Sequence, residues 1–225
     1  MSSIALVDRV RLNYAIGTIV SIVIYTFSIS SFATYFNKLW PHTFFFILSE
    51  LAKLVVINKM YSLDPTYTQD GVRRQRSDHF SESLKFAVLM ILTVFSFAFI
   101  CVVMGAPVLE NYEQTFTLAA FLTGLTLFPI SIFIGVSATV TLLMTETFEL
   151  TNLVSQGYLK LLKRNAYLVI FGAFVGSAVL PLDWDRPWQI YPIPNIVGAV
   201  TAQMLGCFYV FLETMVKYKL GKKQN

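Results

Sequence analysis

The chain has 225 residues, of which 56% are hydrophobic and only 13% are charged, and its formal net charge is +4. A soluble domain carries about a quarter charged residues, so this composition and the mean hydropathy of +0.63 exclude an ordinary soluble protein. The positive charge does not indicate nucleic-acid binding, because no basic helix with interleaved aromatic residues lies outside the apolar segments.

Six apolar segments follow one another along the chain, each close to the roughly 20 residues that a membrane-crossing helix needs. The first has no small-residue cleavage site close after it, so we expect it to act as an uncleaved insertion signal. The fourth is long enough to tilt or to kink at Pro129, and the fifth is short. The sequence therefore predicts an all-α polytopic membrane protein with a single six-helix domain over residues 1–225. The predicted spans are 12–36, 43–61, 84–104, 116–144, 165–181 and 193–216.

The lysines and arginines predict the orientation of these helices, because positively charged loops stay on the cytoplasmic side of a membrane. Of the 17 basic residues, only Lys38 and Arg186 fall in the opposite set of connections, and Lys53 lies inside the second span. We therefore expect both termini in the cytoplasm. This orientation predicts a cytoplasmic linker at 62–83, a basic cytoplasmic tail at 217–225, and luminal loops at 105–115 and 182–192.

Residues typical of a catalytic or metal site are few. His42 and His79 are the only histidines, and neither has a carboxylate or thiol at the spacing of a metal ligand. Cys101 and Cys207 are predicted at different membrane depths, so we expect packing residues and no disulfide. No GxSxG, phosphate-binding glycine loop or HExxH motif occurs. The sequence thus predicts no enzyme activity, no metal and no cofactor.

Glu50 and Lys53 are charged residues within the second predicted span. Their spacing of three places both on one helix face, where they can neutralise each other. Because a charge in hydrocarbon is unfavourable, we expect this face to point into the bundle or at a partner. Two interpretations stay open: an internal ion pair that stabilises helix packing, or a contact with a polar lipid or a partner helix.

Small residues in the last two spans predict closely packed helices. Gly172 and Gly176 have GxxxG spacing, and Gly198, Ala202 and Gly206 extend the pattern in the sixth span. Because one short loop joins the two spans, we interpret them as a tight helical hairpin. The alternative is that such spacings arise from composition alone, since glycine is common in membrane helices.

The loop between these two spans combines aromatic and charged residues. Trp184 and Trp188 have the amphipathic rings that lie at a membrane interface, and neighbouring prolines prevent a continuous helix. Asp183, Asp185 and Arg186 place opposite charges close together in this stiffened turn. One interpretation is an interfacial belt with a local ion pair, and the other is a docking surface for a luminal domain or a polar lipid headgroup.

Three groups of residues together form a recognisable pattern. They are Pro181, Leu182, Asp183, Trp184, Arg186, Pro187, Trp188, Gln189, Pro192 and Gly198; Gly105, Ala106, Pro107, Glu110, Thr115 and Phe116; and Arg164 with Asn165. This pattern resembles the class F phosphatidylinositol-glycan biosynthesis family, PIG-F. Six spans and cytoplasmic termini also agree with that family, and the resemblance covers mainly residues 84–216.

The resemblance implies a non-catalytic membrane subunit of glycosylphosphatidylinositol (GPI) anchor biosynthesis in the endoplasmic reticulum. Such a subunit binds and stabilises the ethanolamine phosphate transferases that act on the second and third mannoses, and the transferase itself carries the metal-dependent chemistry. Contact with membrane lipid, including the GPI precursor, is a further expectation. The expected partner or lipid contacts are Gly105, Ala106, Pro107, Glu110, Asp183, Trp184, Arg186, Pro187 and Trp188.

The end of the chain agrees with this compartment. Lys222 and Lys223 lie at the fourth and third positions from the last residue, which resembles a dilysine retrieval signal of the endoplasmic reticulum. Such a signal is an address read on the cytosolic side and not a membrane anchor. The alternative is a basic tail that serves topology alone.

Two other functions stay open. A lipid-handling membrane protein would itself present or translocate the glycolipid, with Glu50 and Lys53 as a polar path, although no convincing internal repeat supports transport. An intramembrane transferase would use Asp183, Asp185 or Glu110 as acid or base, but the sequence supplies neither a nucleophile nor a set of metal ligands.

Overall fold

The computed structural model describes residues 3–31, 40–66, 79–106, 112–145, 148–180 and 190–223. Within these ranges every regular element is an α-helix, in agreement with the predicted all-α class. The helices in chain order are α1 (Ser3–Ser31), α2 (Trp40–Tyr61), α3 (His79–Val103), α4 (Tyr112–Leu125), α5 (Leu127–Ile134), α6 (Val136–Met144), α7 (Leu153–Ser177) and α8 (Ile193–Lys223).

The fourth predicted span, 116–144, is not one continuous helix, and its first break lies close to the predicted kink at Pro129. The chain departs from helical geometry at Thr126, with φ -110° and ψ -84°, between α4 and α5. Pro129 has no amide hydrogen to bond the carbonyl four residues back, and its ring crowds the preceding turn, which explains the kink there. Gly135, with φ 87°, then separates α5 from α6, because residues with a side chain rarely adopt that conformation.

The helix that contains most of the fifth predicted span, 165–181, begins well before that span. α7 starts at Leu153, where the side chain of Asn152 caps the first turn. This side chain accepts hydrogen bonds from the backbone amides of Val154 and Ser155, at 2.8 and 3.5 Å. The basic residues that directly precede position 165 therefore lie within this helix.

Three predicted connecting segments are also partly helical. α3 begins inside the predicted linker 62–83, and α4 begins inside the predicted loop 105–115. α8 continues into the predicted tail 217–225, as far as Lys223. In each case the helix is longer than its apolar stretch, because many polar residues have helix propensities close to those of apolar residues.

Three helical stretches of the described residues are long and apolar enough to cross a membrane. They are Phe80–Val103, Tyr112–Ile134 and Ile193–Lys219, with mean hydropathies of 2.8, 2.0 and 1.6. The described parts of α1, α2 and α7 do not meet the same criterion. The apolar helices agree with a membrane protein, and the arrangement of six spans stays a prediction.

The helix formed by α4 and α5 lies at the centre of the bundle, and α3 lies at its edge. In their most apolar windows, 78% of the residues of Tyr112–Ile134 are buried but only 11% of those of Phe80–Val103. Large side chains of α3 such as Phe99 point outward and are exposed. α7 and α8 form the most extensive helix pair, and α1 packs against both. Of the three stretches long and apolar enough to cross a membrane, that of α3 is thus the most apolar and the least buried.

Buried aromatic side chains fill the space where α1, α5 and α7 meet. The ring of Tyr158 lies 5.9 Å from that of Tyr14 and 4.9 Å from that of Phe133, both in edge-to-face geometry. A second cluster, around Phe121 and Val169, joins α4 to α7. The first cluster forms one wall of the polar site described next.

Candidate functional site

Six polar side chains from α1, α2, α7 and α8 meet inside the bundle, and we call them the buried polar cluster. They are Tyr14, Thr18, Glu50, Lys53, Asn165 and Gln203, each 8% exposed or less. At its centre the Nζ atom of Lys53 lies 2.7 Å from Oε1 of Glu50. The charged face of α2 therefore points into the bundle, where the two charges neutralise each other.

Side chains of α1 and α8 form hydrogen bonds with the ion pair, and a side chain of α7 forms one with Tyr14. Tyr14 donates its hydroxyl to Oε2 of Glu50 at 3.0 Å, and Gln203 donates its amide to Oε1 at 3.0 Å. Lys53 donates to the hydroxyl of Thr18 at 2.9 Å, and Asn165 donates to the hydroxyl of Tyr14 at 3.0 Å. With the ion pair, Glu50 thus accepts hydrogen bonds from three helices.

The aliphatic part of Lys53 is also held in place. It packs over Gly17, where an added methyl group would lie 3.2 Å from Cγ of the lysine. Its ammonium group lies 4.7 Å from the centre of the Tyr14 ring, within cation–π distance. Lys53 is only 8% exposed and its ammonium group is bonded within the bundle, so the structure favours the internal ion pair over a direct lipid or partner contact.

The predicted small residues lie at the contact between α7 and α8. A methyl group added to Gly172 would collide with the carbonyl oxygen of Gly198 and with Cβ of Ala202. One added to Gly176 would collide with backbone atoms of the first turn of α8, and one added to Gly206 would meet Leu168. The backbones of the two helices therefore touch directly, as small residues in membrane helices permit.

Ion pairs join the first turns of α1 to the last turns of α8. Arg11 contacts Glu213 at 2.8 Å, and Lys217 contacts both Asp8 at 3.2 Å and Glu213 at 3.0 Å. These side chains are partly exposed, so each pair contributes little alone, but the four charges form one network. The described chain therefore begins and ends at the same end of the bundle. Sequence reasoning missed this network, although the spacing of the charges on each helix is visible in the sequence.

An apolar groove of about 860 Å³ lies at the opposite end of the bundle, between α3 and α7. The beginnings of α4 and α8 close its inner side. Its apolar lining includes Ile100, Cys101, Met104, Ile170, Phe174 and Leu180. Its polar lining includes Tyr191, whose hydroxyl donates to Thr115 at 3.2 Å, and Asn195, whose amide donates to the carbonyl of Ala173 at 3.2 Å.

Two of the predicted luminal contact residues line this groove. Gly105 has φ 97° and ends α3, since its amide bonds the carbonyl of Val102 and the amide of Ala106 bonds that of Cys101. This pair of bonds is the Schellman arrangement, which favours glycine at the left-handed position. The other predicted contacts lie outside the described residues: Pro107, Glu110, Asp183, Trp184, Arg186, Pro187 and Trp188.

The described residues contain no group of three or more His, Cys, Asp and Glu side chains that could hold a metal ion. Cys101 and Cys207 are both free, which confirms that they do not pair. Lys222 and Lys223 lie in the last turn of α8, and the structure does not describe their side chains. The retrieval signal therefore stays a prediction.

Comparison with known proteins identifies the family. The sequence pattern of the GPI biosynthesis protein family Pig-F matches residues 23–210. The chain belongs to this family. The match extends closer to the N-terminus than the recognised residues 84–216, and it includes Glu50 and Lys53 as well as the groove.

Named relatives cover most of the chain. It is 28% identical over 201 residues to the "GPI ethanolamine phosphate transferase, stabilizing subunit" of Homo sapiens. The aligned region covers 88% of this chain and 89% of the relative. It is 35% identical over 123 residues to the "Glycosylphosphatidylinositol anchor biosynthesis protein 11" of Neurospora crassa, covering 52% of this chain and 39% of the relative. No solved structure gives a significant match.

Proposed function

We propose that this chain is a non-catalytic membrane subunit of GPI-anchor biosynthesis that binds and stabilises a GPI ethanolamine phosphate transferase. The observation that carries the proposal is the similarity, over 88% of the chain, to a protein named as the stabilizing subunit of that transferase. Membership of the Pig-F family supports the same pathway. The proposed contacts with the partner are residues 105–107, 110, 183, 184 and 186–188.

The finer part of the proposal follows the family resemblance. The partners are the transferases that modify the second and third mannoses of the anchor precursor, and the complex lies in the membrane of the endoplasmic reticulum. The chain crosses the membrane six times, with both termini in the cytoplasm. The ion pairs between α1 and α8 support an even number of crossings, because they join the beginning of α1 to the end of α8. A chain that starts and finishes at the same end of the bundle crosses it an even number of times.

The packing of the bundle also fits a stabilising subunit. The charges of the buried polar cluster are paired with each other, so the bundle needs no ligand to neutralise them. The uncovered face of α3 offers an apolar surface to which other membrane helices can pack. A subunit of this kind stabilises a partner by covering helix surfaces that the partner alone would expose.

A second candidate is a lipid-handling protein that presents or translocates a glycolipid intermediate. The apolar groove between α3 and α7 is the observation that favours it. A polar path through Glu50 and Lys53 has less support, because both side chains are buried and bonded to each other. We therefore keep the stabilising subunit as the leading proposal.

A pull-down from membranes in mild detergent tests the proposal. The tagged chain is purified, the recovered proteins are identified by mass spectrometry, and transferase abundance is measured with the chain depleted. Recovery of an ethanolamine phosphate transferase that declines on depletion is the expected result. If the chain purifies alone and transferase levels stay constant, the partner proposal is wrong.

The predicted contact loop is tested in the same assay. We expect Trp184→Ala and Arg186→Ala to lower the amount of transferase recovered and its abundance. Trp40→Ala is the matched control, because Trp40 is an exposed tryptophan at the beginning of α2, far along the chain from the loop. Normal transferase levels and normal anchor assembly in both loop variants would remove this role from the loop.

A further inference from the structure

The groove between α3 and α7 has the size and lining of a ligand site. Its volume of about 860 Å³ lies in the range of about 300–1,000 Å³ typical of small-molecule sites. Such sites are mostly apolar and contain a few polar groups that orient the ligand. Here Tyr191 and Asn195 are polar groups at the end where α8 begins, and the rest of the described lining is largely apolar.

The length of the groove indicates which kind of apolar ligand fits. Along α7 it extends from Tyr167 to Ser177, which is about 15 Å of helix at 1.5 Å per residue. The hydrocarbon core of a bilayer is about 30 Å thick, so the groove is about one leaflet deep. A membrane-crossing helix of a partner would need a groove along the whole bundle. A lipid acyl chain fits within one leaflet.

Asn195, which lines the polar end of the groove, has an acceptor atom that none of the described residues uses. Asn195 is 8% exposed and lines the groove, and its amide nitrogen is bonded to the carbonyl of Ala173. Its Oδ1 atom is buried and has no hydrogen-bond partner among the described residues. A buried amide oxygen is stabilised by a hydrogen-bond donor, and a hydroxyl group of a lipid headgroup is such a donor.

We propose that this groove binds the acyl chains of one glycerolipid of the leaflet at that end of the bundle, with a hydroxyl-bearing headgroup at Asn195. The chain enters the two predicted contact loops at Ala106 and Leu180, which both line the groove, so the headgroup would lie where those loops begin. The inference rests on the membrane placement in the proposed function, but it does not depend on binding of the transferase.

The test uses a photoactivatable, clickable phosphatidylinositol added to vesicles that contain the purified full-length chain. Two variants on α3 form a matched pair: Ile100→Trp places a large ring in the groove, and Ile91→Trp places the same ring outside it. The two isoleucines are 52% and 55% exposed, so neither substitution disturbs the core. We expect labelled peptides from α3 and α7, a several-fold loss of label in Ile100→Trp, and no loss in Ile91→Trp.

Recognition of the headgroup is tested by comparing two lipid probes. The same probe with a phosphatidylcholine headgroup, which has no hydroxyl group, is expected to label the groove several-fold less than phosphatidylinositol. Asn195→Leu is expected to abolish that preference, because it removes the acceptor and keeps the size of the side chain. An unchanged preference in Asn195→Leu would overturn the role of Asn195.

Two results would overturn the lipid site itself. One is equal labelling of both tryptophan variants, with label spread over every exposed helix, since that pattern is ordinary surrounding lipid. The other is capture of a transferase polypeptide by a photoreactive residue placed at position 100 in the complex, since a protein would then occupy the groove. Transferase recovery is measured for the same variants in the membrane pull-down, so loss of the lipid site is distinguished from loss of partner binding.

Discussion

Replacing Lys53 by methionine is expected to destabilise the bundle strongly. The substitution keeps an unbranched side chain over Gly17 but leaves the carboxylate of Glu50, which is 1% exposed, without its ion-pair partner. Breaking a buried pair by removing one partner lowers the free energy of unfolding by about 3–5 kcal/mol. Because about 1.4 kcal/mol corresponds to a factor of ten, the folded-to-unfolded ratio falls at least about a hundredfold.

The structure places the effect at the lower end of that range. Tyr14 and Gln203 still donate hydrogen bonds to Glu50 in the variant, so the carboxylate keeps part of its stabilisation. Hydrogen bonds between membrane helices contribute about 0.6 kcal/mol on average, and about 1.7 kcal/mol at most. We therefore expect a loss of about 3 kcal/mol. The double variant Glu50→Gln with Lys53→Met should lose less than Lys53→Met alone, because no uncompensated charge remains.

The assay is unfolding of the purified chain in mixed micelles with increasing sodium dodecyl sulfate, followed by circular dichroism. Lys59→Met is the matched control, because Lys59 lies on the same helix and is exposed. The control should unfold like the unsubstituted chain, Lys53→Met at a clearly lower detergent fraction, and the double variant in between. Equal unfolding of Lys53→Met and Lys59→Met would refute the argument from the uncompensated charge.

Two further variants test the helix contacts in the same unfolding assay. Gly172→Val should destabilise the α7–α8 pair by about 1–3 kcal/mol or more, because the valine side chain would collide with Gly198. Ala178→Val is the control, since Ala178 is exposed and its substitution should have little effect. Equal effects of the two variants would mean that the close helix contact is unimportant. Arg11→Gln with Glu213→Gln in a double-mutant cycle should give a coupling energy below about 1 kcal/mol that shrinks with added salt. A salt-independent coupling would contradict a solvent-accessible, partly exposed ion pair.

Much of the buried polar cluster could not be predicted from the sequence. The pairing of Glu50 with Lys53 is local, since a spacing of three on one helix brings the two side chains together. Asn165 was recognised only as part of a family pattern, and Tyr14 and Gln203 gave no signal. Gln203 is 153 positions from Glu50 in the sequence, and no periodicity within one helix reports such a contact.

Helix breaks show a similar division. Pro129 is a local signal, so a kink near it was predictable from the missing amide hydrogen and the bulk of the ring. The second break, at Gly135, was not predicted, because glycine is also tolerated within membrane helices and only the backbone conformation shows its role. The beginning of α7 also depends on the cap formed by Asn152, which the apolar pattern alone does not report.

The sequence by itself determined the class of protein, because composition and the lengths of the apolar segments depend on the chain alone. It also determined the family, through short motifs between residues 105 and 198, and the family match over residues 23–210 agrees with them. Only the tertiary structure decided that the charges of α2 are satisfied by α1 and α8, and that α3 and α7 leave a groove between them. Both depend on how the helices pack, and the relative positions of helices follow from the contacts of many side chains at once.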